Sequence, residues 1–169
     1  HLNLVRLRLS AKSIEHSVEE LSTQIQEVFN QIKMIIGDSW FEGETRLSAV
    51  VGESLVTNEK TIGTIESCTG GFIASKLTEI PGSSAYFKGS LLTYAYETKV
   101  SLAKIDQNLL NEVGAVSKEV CEMMAKNAQN ILEVDYCISS TGIAGPGGGT
   151  NEKPVGLVFI GLAKPDGSV

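Results

Sequence analysis

Histidine is nearly absent from this chain. There are two, His1 and His16, and both lie far from every glycine-rich stretch. A histidine-ligated metal or a Ser-His-Asp triad therefore has little to work with. Cysteine is scarce too. Cys68, Cys121 and Cys137 are odd in number and lack metal-type spacing, so they fit reduced thiols in a cytoplasmic protein better than a disulfide framework. Positive charge is in deficit: 14 Lys and Arg stand against 20 Asp and Glu, a net charge of −6. That balance argues against a large nucleic-acid surface, though not against a small anionic ligand held by a few backbone amides. No apolar run approaches the roughly 20 residues a membrane helix needs. The first residues, "HLNLVRLRLSAKS", resemble neither a signal peptide nor a Met start, and read as the interior of a longer protein. Internal repeats and low-complexity tracts are also missing.

What is present is an ordinary globular composition, 42% hydrophobic and 20% charged over 169 residues. Residues 2–9 alternate as a strand. A helix begins at Ser10 or Ser13, with Ile14, Val18, Leu21, Ile25, Val28, Ile32 and Ile35 as its apolar stripe, and Gly37 and Asp38 stop it. A loop around Trp40 leads to a second helix over 45–55. From Thr61 strands and helices alternate: strand 61–66, helix 70–79, strand 88–94, helix 96–103, helix 117–132, strand 134–139, a glycine-rich loop 142–149 and strand 154–163. This order predicts an α/β fold, a layered sheet flanked by helices. Residues 1–40 read as a separate α+β fragment, and 41–169 as the main domain. The closing "AKPDGSV" reads as a hairpin turn whose partner strand is missing.

Three stretches bear on chemistry. "ESCTGG", Glu66 to Gly71, joins a strand to a helix. It reads either as an anion-binding turn, with Ser67 and Thr69 as donors and Gly70 and Gly71 admitting a ligand, or as a plain helix cap. Cys68 has no nearby histidine and reads as a small buried thiol. "SSAYFKGSLLTYAYETK" places Ser83, Ser84, Tyr94, Tyr96 and Lys99 around an apolar strand. A Ser–Lys pair performs acyl transfer without histidine once burial or positive charge depresses the lysine pKa; the other reading is solvated lysines at a sheet edge. "STGIAGPGGGTNEKPVG" follows an apolar strand and packs six glycines and two prolines into one loop. It suits an oxyanion or an anion, or is simply a hairpin loop, and Lys153 either meets a phosphate or faces solvent. It is neither a P-loop nor a dinucleotide fingerprint.

Together "TIESCTGGFIASKLTEIPGSSAYFKGSLLTYAYETKVSLAKI", "GAVS" and "STGIAGPGGGTNEKPVGLVFIGLA" resemble the C-terminal domain of the competence/damage-inducible CinA family, which also occurs alone as the PncC-type nicotinamide-nucleotide amidohydrolase. Residues 1–40 are similar to the end of that family's KH-like linker module. The resemblance implies hydrolysis of the carboxamide of nicotinamide mononucleotide to nicotinate mononucleotide and ammonia, with no metal and no cofactor. Carried over by position, it implies Ser84 as nucleophile, Tyr94 and Lys99 as tyrosine and general base, and Ser67 as a further active-site hydroxyl that also qualifies as the attacking serine. Glu66, Thr69, Gly70, Gly71, Thr141, Gly142, Ala144 and Gly145 become the substrate-binding edge. The family's last segment, with a Gly-Asp-Arg-type motif and a final helix, is not in this sequence. The resemblance and the apolar stripe of the first helix imply a homodimer or higher homo-oligomer, with no membrane partner. The alternative is a non-catalytic nucleotide-binding or interaction domain of a multidomain CinA protein. An RNA-binding accessory role, suggested by the KH-like piece alone, conflicts with the acidic balance.

Overall fold

The structure is a computed structural model that describes residues 7–37 and 46–169. The chain divides into two compact units, residues 1–44 and 45–169.

In the first unit, α1 spans Val18–Ile36. It starts later than the serine signals suggest. Ser13 spends its hydroxyl on the amides of Glu15 and His16, which makes a local turn and not a helix start. Ser17 and Glu20 then form a reciprocal capping box, with Ser17 Oγ accepting from Glu20 N and Glu20 Oε2 accepting from Ser17 N. Gly37 closes the helix at φ 62°. Residues 7–9 form no strand, and the rest of the expected strand 2–9, like the Trp40 loop, lies outside the described residues.

In the second unit the order is α2 (Leu47–Thr57), β1 (Ile62–Glu66), α3 (Phe72–Thr78), a 3-10 turn at Ser83–Ala85, β2 (Phe87–Leu92), α4 (Tyr96–Ser101), α5 (Gln107–Val113), α6 (Lys118–Leu132), β3 (Tyr136–Gly142) and β4 (Val158–Ala163). The sheet order is β2-β1-β3-β4. β1 runs parallel to β2 and β3, and β4 is antiparallel to β3. The α/β reading with helices on both faces holds. Among the described residues no helix is long and apolar enough to cross a membrane.

Strand β1 is central, and all five of its residues are buried. Alternation along it serves two cores. Ile65 joins Val120, Met124, Ala125 and Ala128 of α6, with Cys137 and Ala163 from the neighbouring strands. Ile62 joins Leu55 of α2, Leu77 of α3 and Tyr86. Each fully buried side chain of this size contributes about 1.5–3 kcal/mol of transfer free energy. Gly63 faces α6, where a Cβ would come within 2.6 Å of Leu132 Cδ1, so the helix lies directly on the strand. Helix α5 is absent from the order of elements that the sequence predicts. It is short, and its turn begins with Asp106, whose carboxylate caps Asn108 N at 2.6 Å.

Because β1, β2 and β3 are parallel, their carboxyl ends share one edge of the sheet. Glu66, Leu92 and Ser140 stand side by side there. The turns that leave these ends therefore meet above that edge, which is where ligands sit in open α/β sheets.

Candidate active site

Lys99 lies on the short helix α4, in the turn that follows β2, and is 1% exposed. Its Nζ contacts Ser67 Oγ at 3.0 Å, the Thr93 carbonyl at 2.6 Å and the Tyr94 carbonyl at 3.3 Å. None of the ion pairs among the described residues includes it. Burial among neutral partners lowers its pKa from the ordinary lysine value. A neutral amine carries two N–H bonds and one lone pair. The two carbonyls take the two N–H groups, and the remaining direction faces Ser67.

Ser67 begins the turn after β1 and is 7% exposed. Its N–H is fixed on the Ser140 carbonyl at 3.0 Å. Ser140 also shares a 2.6 Å hydrogen bond with Thr69 Oγ1, which ties the turn to β3 twice. Among the described residues, the Cys68 and Thr69 amides take no carbonyl acceptor. Burial raises the Cys68 pKa, while those amides and Lys99 pull it down. The thiol is half-buried and not enclosed as the sequence suggested, because it sits on the turn and not in the core. Cys137, by contrast, is buried in the α6 core, and its pKa is pushed up to about 12.

A cavity of about 300 Å³ opens over this edge. Ser67, Cys68, Tyr94 and Lys99 line one side, Ala115 and Val116 the floor between α5 and α6, and the loop from Thr141 to Gly148 the other side. In that loop, which lines the cavity, the Ala144, Gly145, Gly147 and Gly148 amides take no acceptor among the described residues and remain available as donors. Gly145 has φ 85°, and a Cβ there would fall 2.5 Å from Val155 Cγ1, so the loop needs glycine at that position. The loop is anchored at both ends. Ile143 and Leu157 continue the strand bonds, and Lys153 Nζ donates to the Val113 carbonyl at 2.6 Å. Lys153 thus holds the carboxyl end of α5 and does not face solvent. Thr141 Oγ1 donates to the Ala115 carbonyl, and Tyr96 Oη accepts from Ala115 N, which fixes the floor.

Of the residues named from the sequence, Ser67, Tyr94, Lys99, Thr141, Gly142, Ala144 and Gly145 come together at this cavity. Tyr94 offers its carbonyl to Lys99; the residue is 73% exposed at the mouth, and its hydroxyl takes no hydrogen-bond partner among the described residues. Ser84 does not join them. It is exposed on the 3-10 turn before β2, at the opposite edge of the sheet, with the six-residue strand, about 20 Å long, between it and the cavity edge. The serine that meets Lys99 is Ser67. Glu66 is not at the cavity either. It is 0% exposed, and its carboxylate accepts from the amides of Gly71 (3.0 Å), Ile73 (3.1 Å) and Ala74 (2.8 Å) at the start of α3. Gly70 and Gly71 adopt φ 60° and 94° to make the turn and are not part of the lining. Thr69 acts through Ser140. Ile143 lies in the loop Thr141–Gly145 that the resemblance places at the substrate edge, and the lining residues that sequence reasoning missed are Cys68, Ala115, Val116, Gly147 and Gly148. The signal for Ser140 was available: two serines interrupt the apolar strand "YCISS" at its carboxyl end. Among the described residues, no group of three or more His, Cys, Asp or Glu converges in a metal-like cluster.

Comparison with known proteins gives a consistent picture. The profile of the CinA C-terminal domain matches residues 44–169. A CinA-like protein of Cyanothece sp. is 46% identical over 163 residues, covering 96% of this chain and 38% of the relative. A CinA-like protein of Flavobacterium psychrophilum is 43% identical over 167 residues, covering 96% of this chain and 39% of the relative. The chain therefore spans about two fifths of the length of these relatives. Among solved structures, the competence/damage inducible protein CihA from Agrobacterium tumefaciens superposes with a TM-score of 0.67 at 36% identity, covering 77% of this chain and 79% of that one. The competence damage-inducible protein A from Klebsiella pneumoniae superposes with a TM-score of 0.68 at 28% identity, covering 70% and 74%. The parallel strands, the Ser67–Lys99 contact and the glycine-rich loop are thus features of a chain that belongs to the CinA family, with residues 44–169 as its C-terminal domain.

Proposed function

We propose that this domain is a metal-independent serine–lysine amidase that converts nicotinamide mononucleotide and water into nicotinate mononucleotide and ammonia. The observation that carries the reading is the 3.0 Å contact between a buried lysine with no ion-pair partner among the described residues and a serine hydroxyl, both in the wall of one cavity. Lys99 with a lowered pKa takes the Ser67 proton as Oγ bonds to the carboxamide carbon. The carbonyl oxygen becomes an oxyanion, met by backbone amides of Cys68 and Thr69 or of the glycine loop. Collapse breaks the C–N bond. The proton on Lys99 Nζ passes to the departing nitrogen, which leaves as ammonia. Water then attacks the Ser67 ester, Lys99 again accepting a proton, and the carboxylate leaves as Ser67 is regenerated. Tyr94, at the mouth, covers the flat face of the pyridine ring. The work takes place in the cytoplasm, where pyridine nucleotides are salvaged.

The test is ammonia release from nicotinamide mononucleotide by the purified chain, with Ser67→Ala beside it. Release by the parent and not by the variant supports the reading. Thermal stabilisation by the nucleotide without ammonia would instead favour a nucleotide-binding domain without turnover.

A further inference from the structure

We infer that Glu66, outside the cavity, is a positioning residue for the Ser67–Lys99 pair. Both halves of the pair are referenced to this one residue. Its carboxylate spans the three amides at the start of α3, and Thr64 Oγ1 adds a 3.3 Å contact to Oε1. These bonds close the Ser67–Gly71 turn from its far end, while Ser140 closes it from the near end. On the other side, the Glu66 carbonyl accepts from Thr93 N at 2.9 Å. The Thr93 carbonyl is the shortest of the three Lys99 contacts, at 2.6 Å. A shift of Glu66 therefore displaces the serine through the turn and the lysine through Thr93. Among the described residues the carboxylate makes no hydrogen bond to Ser67 or Lys99 and Glu66 does not line the cavity, so it takes no proton in the reaction. It also occupies the free amides of α3. The phosphate of a nucleotide substrate is then not held there, contrary to what the motif suggests in the sequence.

The kinetic arm of the test rests on the amidase reading; a second arm does not. Glu66→Gln places N–H donors against N–H donors. Glu66→Asp keeps the charge but is one methylene too short to reach all three amides. We expect both to lower kcat by about ten- to hundredfold, the loss that an ångström of misplacement brings. KM should stay within about twofold, because uniform binding is untouched. In parallel, NMR titration of the Lys99 side chain should show its midpoint displaced in both variants, along with the amide resonances of Gly71, Ile73 and Ala74. If the Gln variant does not fold, the Asp variant decides. An unchanged kcat with an unmoved Lys99 midpoint, while those amides shift, overturns the inference. If the parent chain releases no ammonia, the amidase reading fails on its own. The Lys99 midpoint then decides the positioning role: displaced in the variants it stands, unmoved it falls.

Discussion

Replacing Lys99 with methionine is the sharpest probe of the site. Methionine has similar length and no charge, so it fills the same volume. It removes the group that faces Ser67 at 3.0 Å and leaves the Thr93 and Tyr94 carbonyls without their N–H donors. General-base assistance is worth about 10²- to 10⁴-fold, so kcat/KM should fall by about 3–5 kcal/mol of transition-state stabilisation. Ser67→Ala should cost a similar amount. Because the two act as one unit, Ser67→Ala combined with Lys99→Met should be scarcely worse than the poorer single variant. The pH profile follows from the lowered lysine pKa. The unfolded chain binds the Lys99 proton more tightly than the folded one, so this group penalises the fold most below its folded pKa. The penalty lifts as pH rises towards the ordinary lysine value. Activity should rise over the same limb, as the neutral base becomes populated, and that limb should lie below the ordinary lysine value of 10.5. Ammonia release across pH, for the parent and three variants, measures the kinetic outcomes, and thermal unfolding across pH measures the stability. Additive losses in the double variant, or single-variant losses below about tenfold, would refute the pairing.

Three further outcomes follow from the packing. Ser84→Ala should leave kcat/KM within about twofold and the melting temperature nearly unchanged, since exposed positions away from special features rarely matter; a large loss would return the nucleophile to the opposite edge of the sheet. Gly145→Ala forces a side chain into φ 85° and into Val155, so kcat/KM should fall about tenfold, with the glycine loop displaced from the cavity. Gly52→Ala puts a Cβ 2.8–2.9 Å from the buried Tyr86 ring, whose hydroxyl is fixed on the Leu77 carbonyl. Overpacking costs about 1–3 kcal/mol and outweighs the helix-propensity gain of up to about 1, so calorimetry should show a lower melting temperature.

Most of the fold was legible because its signals are local. The central strand carries an isoleucine on each face and is flanked by turn residues. Helix α6 carries Val120, Met124 and Ala128 at helical spacing behind Ser117, which caps it. The first helix starts later than Ser10 and Ser13 predict for an equally local reason. Ser10, Ser13 and Ser17 all qualify as caps, and only the Glu20 carboxylate returning to Ser17 N distinguishes the true one. In the candidate site, the residue types were readable and their partners were not. Glu66 has the composition of a binding residue, but a strand end that turns directly into a helix brings that helix's amides within reach of its own carboxylate.

The two serines show what sequence distance conceals. Ser84 is much nearer to Lys99 along the chain, and Ser67 lies 32 residues from it. In a parallel sheet each strand begins at one edge and ends at the other. The turn holding Ser84 precedes β2 and so sits at the starting edge. The turns that follow β1 and β2 both emerge at the finishing edge, which brings Ser67 and Lys99 into contact. Equivalent positions in successive βα units meet, whereas positions before and after one strand are separated by the whole strand. Once the strand order is known, which serine meets Lys99 follows from direction alone. A motif that names both leaves it open.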